Sequence, residues 1–367
     1  MPTPKYLVVV NWIKEKIENK SYRQGDKIDS EMELCRLHGV SRQTVRQALN
    51  VLEQEGMLIR RQGSGTFVSV PALKNSNSRT RTVGVISTYF SDYIFPDIIT
   101  GMEQVLSRHN VGMQLALTRN KVENEEKALA SMLGKNISAL IVEPSKSALP
   151  NPNMRLYKEI ETLGIPLIFF NARYEWSSFP CIALNDVKAG QAATEYLIET
   201  GHRKIAGFFM SDDIQGHLRY KGYMNTLRTA GIEADEKNIL WYASDDLGDL
   251  LNYPDRIMSR IKDCDAVVCY NDQLAFKLMS FCDIMGISVP EQLSVIGIDN
   301  SNHGDMSAVP LTTVAHPKAE LGERAAVSML TLMDNPGAEV EYFYEPKLIV
   351  RASVQKRGLP IPQTNGR

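Results

Sequence analysis

The sequence of 367 residues contains no run of 18 or more apolar residues, so it predicts no membrane-spanning helix. Its first 20 residues hold an apolar run of only four, Leu7–Val10, before charged residues follow. A secretory signal needs a longer apolar segment and a cleavage site. We therefore expect a cytoplasmic protein with no membrane partner.

Cysteine is scarce and unpatterned. The five cysteines form no CxxC pair and have no histidine at metal-binding spacing. This argues against a disulfide scaffold and a zinc site and favours buried free thiols.

The sequence motifs of catalysis are also missing. It has no Walker A loop, no GxSxG elbow and no HExxH helix. The carboxylate pairs Glu125–Glu126 and Asp245–Asp246 are adjacent in sequence, so their members do not face each other on a helix. We interpret them as solvated and expect no catalytic residue, metal or cofactor.

Net charge is unevenly distributed. Residues 1–82 hold 14 lysines and arginines against 8 acidic residues, a net charge of +6. The whole chain has a net charge of −2, which leaves −8 for the remainder. A basic head on an acidic body indicates nucleic-acid contact at one end.

A polar segment rich in Pro, Asn and Ser separates these two parts, and its lack of apolar periodicity is typical of a linker. The sequence therefore predicts a head at residues 1–70, a linker at residues 71–81 and a body at residues 82–367. The length is consistent with more than one domain.

The head reads as three helices and a β-hairpin. Val9, Ile13 and Ile17 recur at helical spacing, and Ser30–Glu33 is a capping-box pattern that begins a second helix. Ser41 can cap a third helix that ends near Gly56. Two short strands follow, on either side of residues 62–65. This order predicts a winged helix-turn-helix.

The third helix has one apolar face and one polar face that suits DNA. Arginine and glutamine match guanine and adenine edges in the major groove, and glycines at a hairpin tip allow close approach to the duplex. The alternative, a merely solvated polar face, explains the turn, the caps and the hairpin less well. The predicted DNA-binding residues are Lys5, Arg42, Gln43, Thr44, Arg46, Arg60, Gln62, Gly63 and Gly65.

These motifs resemble the winged-helix domain of GntR-type transcriptional regulators. The resemblance is carried by the run Gly39–Leu49, by Leu52 and Gly56, and by Gln62–Val68. One departure is Asp29 before Ser30 and Glu31, where the family usually has proline, so the helix start loses a rigid residue but keeps its cap.

The body alternates short apolar runs with helical stretches, which predicts an α/β fold with parallel sheets. The strands are too many for one ordinary doubly wound sheet. A break after Phe170 therefore favours two similar lobes.

The body resembles the core of LacI/GalR repressors, which is similar to periplasmic sugar-binding proteins. The matching blocks are Gly190–Phe208, Arg219–Tyr223, Asn271–Asp272, Val289–Pro290, Val295–Asp299, Leu311–Val314 with His316, and Gly322. The family's own helix-turn-helix and hinge helix are not visible, so we expect the signal to cross the linker in a different way. The resemblance implies a homodimer on a pseudo-palindromic double-stranded operator.

In a two-lobed α/β protein, ligands bind at the carboxyl ends of the strands, between the lobes. The resemblance implies sugar contacts at Arg219, Asn271 and Asp299, and Asn171 stands where many members have aspartate. Asn171 is equally compatible with a turn and Tyr93 with ordinary packing, while we read Asp186 and Asp272 as helix caps. The predicted sugar-binding residues are Tyr93, Glu143, Asn171, Arg219, Asn271, Asp299 and His316.

A GntR-type head on a LacI-type body, with the runs Ser91–Pro96 and Ile141–Pro144, resembles arabinose-responsive repressors. This implies a repressor released from DNA by a small sugar effector, L-arabinose or a related sugar. A regulator with a different effector, such as another sugar or a purine, stays open. A sugar-binding receptor would need a secretion signal and no basic head, and an enzyme would need a catalytic constellation.

Overall fold

The computed structural model describes residues 4–19, 21–23, 25–54, 57–61, 65–68, 81–91, 93–135, 137–302 and 308–357. These residues divide into two compact units, one within residues 1–79 and the other within residues 80–367. Apart from Arg81, the predicted linker lies outside the described residues, as do Gln62 and Gly63.

The first unit has the predicted order of three helices and a hairpin. These elements are α1 (Lys5–Glu18), α2 (Glu31–His38), α3 (Arg42–Gln54), β1 (Leu58–Arg61) and β2 (Gly65–Val68). The capping box is present: the Ser30 side chain accepts from the Glu33 amide, and the Glu33 side chain accepts from the Ser30 amide. Gly39 ends α2 with a φ of 62°, in the left-handed region that favours glycine.

The apolar face of α3 lies in the core of this unit. Val45, Ala48, Leu49 and Leu52, predicted from their spacing, are all buried. They pack against α1 and α2, which leaves the polar face of α3 to solvent.

The second unit contains two lobes, each built on a six-stranded sheet. Lobe 1 has the strand order β13-β7-β6-β5-β3-β4, in which all neighbours are parallel. Its elements are β3 (Thr82–Ser87), α4 (Phe95–Arg108), β4 (Gly112–Leu117), α5 (Val122–Leu133), β5 (Ala139–Val142), α6 (Met154–Thr162), β6 (Leu167–Phe170), β7 (Cys181–Leu184), α11 (Lys318–Asp334) and β13 (Tyr342–Tyr344).

Lobe 2 has the strand order β14-β12-β11-β10-β8-β9, with β14 antiparallel to β12. Its elements are α7 (Asp186–Glu199), β8 (Ile205–Met210), α8 (Ile214–Thr229), β9 (Ile239–Tyr242), α9 (Pro254–Ile261), β10 (Ala266–Cys269), α10 (Asp272–Ile284), β11 (Ser294–Asp299), β12 (Thr312–Ala315) and β14 (Lys347–Ile349). The mixed α/β fold with parallel sheets is confirmed.

The chain crosses between the lobes three times. It passes to lobe 2 after Leu184, returns to lobe 1 between Ala315 and Lys318, and crosses again between Tyr344 and Lys347. The break predicted after Phe170 is therefore wrong by one strand, because β7 follows it and pairs with β6.

No helix in the described ranges is long and apolar enough to span a membrane. All five cysteines are free thiols, but the predicted burial holds for only three of them. Cys181, Cys269 and Cys282 are buried, whereas Cys35 and Cys264 are half-buried.

Candidate sugar cleft and DNA-reading face

A cavity of about 390 Å³ lies between the lobes, at the carboxyl ends of their strands. This volume is in the range of small-molecule sites, about 300–1,000 Å³. Its wall contains six of the seven predicted sugar-binding residues: Tyr93, Glu143, Asn171, Arg219, Asn271 and Asp299.

The lobe 1 side of the cavity centres on a buried carboxylate. Glu143 follows β5, and its Oε2 accepts from the Thr88 amide at 2.8 Å and the Thr88 hydroxyl at 2.5 Å. Its Oε1 accepts from Asn171 Nδ2 at 2.7 Å. Burial raises the pKa of Glu143, and the hydrogen bonds from Thr88 and Asn171 oppose that rise. These hydrogen bonds hold the Glu143 carboxyl group in a fixed orientation at the cavity wall.

Asn171 leaves one acceptor unused. Its Oδ1 is buried and has no hydrogen-bond partner among the described residues. Its φ of 63° is left-handed, a conformation that asparagine tolerates better than most residues. Because an unpaired buried oxygen is costly, this atom is suited to accept from a bound hydroxyl group.

The lobe 2 side centres on Arg219, which α8 carries and which is 1% exposed. Its Nε donates to Asp186 Oδ1 at 2.8 Å, its Nη1 to the Tyr270 carbonyl at 2.6 Å and its Nη2 to Asp299 Oδ1 at 3.3 Å. Burial alone would lower the pKa of Arg219, but the Asp299 and Asp186 carboxylates raise it well above its usual value. Arg219 therefore stays charged.

Tyr93 joins the lobes inside the cavity. It precedes α4 of lobe 1, and its hydroxyl donates to Asp299 Oδ2 of lobe 2 at 2.6 Å. Burial, together with the nearby Asp299 charge, raises the pKa of Tyr93 well above 10, so the phenol remains a donor. Tyr93, Asn171 and Asp299 all have positive φ values, of 62°, 63° and 113°. Such conformations concentrate at binding sites.

Two helix caps differ from the prediction by one residue. The caps of α7 and α10 are Asn185 and Asn271, whose side chains accept from the Lys188 and Leu274 amides. Asp186 instead pairs with Arg219, and Asp272 accepts from the Ser301 amide and the Thr313 hydroxyl. Asn271 thus lines the cavity while its Oδ1 is engaged by its own helix.

His316 is not part of the cavity wall. It lies at the second crossing between lobes, where its two ring nitrogens are buried without a hydrogen-bond partner in the described chain. Burial, with the charges of Arg219 and Lys318, lowers its pKa to about 3, so the ring stays neutral.

The sequence reasoning missed several polar residues of the wall and misjudged one carboxylate. The polar side chains of the wall that were not predicted include Thr88, Asn120, Lys146, Asp213, Gln215, Ser244, Gln273 and Lys277. Most follow strand ends in loops whose residue types also suit ordinary turns, so position at a strand end was the one available signal. Glu125, predicted to be solvated, is fully buried in lobe 1 and accepts from Tyr157 and Tyr174.

In the head, α3 presents the predicted polar face to solvent. Arg42, Gln43 and Arg46 are exposed, and Glu31 of α2 accepts from Arg42 Nε at 3.0 Å and Arg46 Nε at 3.1 Å. Burial would raise the pKa of Glu31, but the hydrogen bonds from both arginines lower it. Glu31, named from the sequence only as part of the helix-start motif, holds the two guanidinium groups side by side through their Nε atoms.

The other predicted DNA contacts are spread over the head. Lys5 begins α1, and Thr44 belongs to the capping of α3, where its amide donates to Ser41 Oγ at 3.2 Å. On β1, the Nε atom of Arg60 lies 3.7 Å from Oε2 of Glu53. Gly65 begins β2 with a φ of 114°.

Two family models match the chain. The model of bacterial regulatory proteins of the gntR family matches residues 5–68, and the periplasmic binding protein-like domain matches residues 194–354. The arabinose metabolism transcriptional repressor of Geobacillus stearothermophilus is 38% identical over 358 residues, which cover 96% of this chain and 98% of that protein. The repressor of the same description from Halalkalibacterium halodurans is 38% identical, covering 95% and 96%.

Two solved structures of transcriptional regulators superpose on about three quarters of the chain. The transcription regulator CcpA of Lactococcus lactis superposes with a TM-score of 0.68 at 25% identity, covering 76% of this chain and 100% of its own. A LacI family regulator from Enterococcus faecium with bound ribose gives a TM-score of 0.66 at 22% identity, with coverages of 76% and 100%. The sequence similarity to the two arabinose metabolism repressors, which covers 95–96% of this chain, includes both of its units.

Proposed function

Because this chain belongs to the family of arabinose metabolism transcriptional repressors, we propose that a small sugar, L-arabinose or a related sugar, binds its cleft and releases it from operator DNA. In this proposal residues 1–70 bind DNA, residues 71–81 form the linker, and residues 82–367 bind the effector and form a homodimer. The protein acts in the cytoplasm as a regulator, as its relatives are repressors rather than enzymes.

The observation that carries the proposal is the composition of the cavity wall. The carboxyl groups of Glu143 from lobe 1 and Asp299 from lobe 2 line it, together with the unpartnered Oδ1 of Asn171 and the phenol of Tyr93. A sugar ring offers hydroxyl groups that donate and accept at several positions at once. It would therefore contact both lobes and favour one arrangement of them.

Release of DNA requires a difference in affinity. A sugar that bound the operator-bound and free states equally would shift nothing, so it must bind the released state more tightly. Since the cleft lies between the lobes, closure around the sugar changes their relation across a dimer. That change reorients two heads that would otherwise occupy the two halves of a pseudo-palindromic operator.

Operator release by a panel of small molecules tests the effector. Duplexes selected by the protein from a random-sequence library serve as operator, and anisotropy follows release by L-arabinose, D-xylose, D-ribose, D-galactose and hypoxanthine. We expect release by L-arabinose at the lowest concentration. Release by another compound alone would overturn the effector assignment, and failure to select any sequence would overturn the DNA-binding role.

The reading face is tested by Arg46→Ala. Loss of a guanidinium that reads a base edge costs about 1–3 kcal/mol of discrimination, so affinity for the selected duplex should fall at least about fivefold. Affinity for random DNA should fall much less.

Arg155→Ala is the matched control. It also removes an exposed arginine paired with a glutamate, Glu126, but on the body. Equal effects of the two substitutions on specific binding would contradict the assigned face.

A further inference from the structure

Besides Tyr93, a second set of contacts joins the two lobes at the rim of the cleft. Lys146 of lobe 1 follows β5, and its Nζ lies 2.7 Å from Asp245 Oδ2 and 3.5 Å from Asp212 Oδ2, both in lobe 2. The Asp245 hydrogen bond raises the pKa of Lys146 and that of Asp245 falls in turn, so both remain charged. This ion pair connects loops that lie 99 residues apart in sequence.

The neighbouring residues extend the connection. Ser147 Oγ donates to Asp213 Oδ1 at 2.6 Å and accepts from the Ile214 amide at 3.0 Å. The Ala148 amide donates to the Asp212 carbonyl at 3.3 Å. Asn120 Nδ2 donates to Ser244 Oγ at 3.0 Å. We call this set of interlobe contacts the rim clasp.

Lobe 1 holds its part of the rim clasp rigidly. The buried carboxylate of Glu125 accepts from the Ser145 amide at 2.7 Å and from Asn151 Nδ2 at 2.8 Å, on either side of Lys146. Asn120 Oδ1 accepts from the Lys146 amide at 2.8 Å. The segment that carries Lys146 is therefore fixed on both sides, and this holds the Lys146 ammonium group against lobe 2.

We propose that Lys146 and Asp245 are positioning residues that set the affinity for the effector by stabilising the closed cleft. This inference rests on the proposed function, because it assumes that the sugar binds between the lobes. Only the closed fraction binds with full affinity, so apparent affinity falls in proportion when that fraction falls. Asp245 is not in the cavity wall, and its side chain is 71% exposed.

The test is a double-mutant cycle of Lys146→Met, Asp245→Ala and the double variant, with L-arabinose affinity measured by calorimetry. Exposed ion pairs contribute about 0.2–1 kcal/mol, which corresponds to a dissociation constant raised up to about fivefold. We expect Asp245→Ala to weaken binding and Lys146→Met to weaken it at least as much, because Lys146→Met also removes the contact with Asp212. The double variant should weaken binding no further than Lys146→Met alone.

Folding should survive these changes. Without Lys146, Asp212 still accepts from the Ser244 amide at 2.9 Å and the Ser244 hydroxyl at 2.6 Å. Without Asp245, Lys146 keeps Asp212 as its partner. Arg155→Met is the matched control, since it removes the Arg155–Glu126 ion pair within lobe 1 and should leave sugar affinity unchanged.

Ionic strength gives a second readout. Salt screens exposed ion pairs, with a Debye length of about 10 Å at 0.1 M and 3 Å at 1 M. The difference between the wild-type protein and Lys146→Met should therefore shrink at high salt.

Three outcomes separate the possibilities. If Lys146→Met weakens binding while Asp245→Ala does not, Lys146 acts by touching the sugar and the proposal is overturned. Unchanged affinity in both variants also overturns it. If the wild-type protein binds no sugar of the panel, the proposed function fails instead.

Discussion

Substituting Arg219 would test its role in the cleft poorly, because its guanidinium group also holds buried groups of lobe 2 together. Its guanidinium is held by two buried carboxylates and a carbonyl group, and it stacks on Tyr270 with its Cζ 4.8 Å from the ring centre. Truncating one partner of a buried ionic cluster costs about 3–5 kcal/mol, because it leaves uncompensated charge. Arg219→Ala should therefore destabilise lobe 2 as well as the cleft.

Tyr93→Phe is a cleaner residue-scale test, because it removes only the hydroxyl that donates to Asp299. A hydrogen bond to a charged group contributes about 1.5–3 kcal/mol, so we expect L-arabinose binding at least about tenfold weaker by calorimetry.

Tyr22→Phe is its matched control. It removes a half-buried hydroxyl that donates to an aspartate, Asp29, in the head at the same distance of 2.6 Å. It should lower the free energy of unfolding in urea but leave sugar affinity intact. Equal sugar affinities for Tyr93→Phe and the wild-type protein would refute the bridge across the cleft.

The buried Asp272 side chain should make the free energy of unfolding depend on pH. Burial, together with repulsion from Asp299, raises its pKa to about 7, against about 3.9 in an unfolded chain. The folded state therefore keeps this proton at pH values where the unfolded state has lost it. The resulting stabilisation is complete below about pH 4 and is lost as the pH rises through about 7.

Asp272→Asn cannot titrate and isolates this effect. The free energy of unfolding of the wild-type protein, minus that of the variant, should fall by up to about 1.4 kcal/mol per pH unit between about pH 4 and 7. Urea unfolding of both proteins at several pH values measures the difference. A constant difference would show that Asp272 does not carry the proton.

At the scale of elements, a close approach of two helices positions Arg219. α7 and α8 pack so tightly that a Cβ on Gly222 would overlap the Val187 carbonyl oxygen, and one on Gly190 would overlap the Arg219 carbonyl oxygen. Both glycines lie in blocks that carry the family resemblance, and the crossing explains them physically.

Gly222→Ala should therefore force the helices apart. Overpacking costs about 1–3 kcal/mol of stability, and displacement of α8 should also weaken sugar binding, because α8 carries Arg219. Thermal unfolding and calorimetry check the two effects. Gly134→Ala is the matched control, since its Cβ would meet only ordinary contacts at 3.5 Å and 3.7 Å. Similar results for both substitutions would argue against the close crossing.

Helices were predicted well from the sequence where capping residues and regular apolar spacing mark them. The capping box at Ser30 and the apolar spacing of Val45 to Leu52 gave α2 and α3 nearly to the residue. No strand was predicted at β7, β9, β12, β13 or β14, which have three or four residues. Runs this short carry little periodicity, and pairing with a neighbouring strand is what makes them strands.

At the scale of the whole molecule, the charge division agrees with the two roles. The head carries +6 and the rest of the chain −8, so electrostatic attraction to DNA is confined to the head and the body is repelled.

A dimer with two heads should need two half-sites. We expect an operator with one half-site replaced by random sequence to bind at least about tenfold more weakly, and sedimentation to give twice the chain mass. Restoring the half-site in inverted orientation should restore affinity. Equal binding to one and two half-sites would contradict the two-fold arrangement.

The sequence by itself determined the division into a basic head and an acidic α/β body, the three helices of the head, and six of the residues that line the sugar cleft. The division and the helices follow from local propensity, capping and composition, which need no distant partner. Only the tertiary structure decided which side chains face one another: Tyr93 with Asp299, Asp186 with Arg219, Glu31 with two arginines, and Lys146 with Asp245. These pairs are brought together by three chain crossings and by helix packing, so their partners lie up to 206 residues apart, beyond the range of any sequence periodicity.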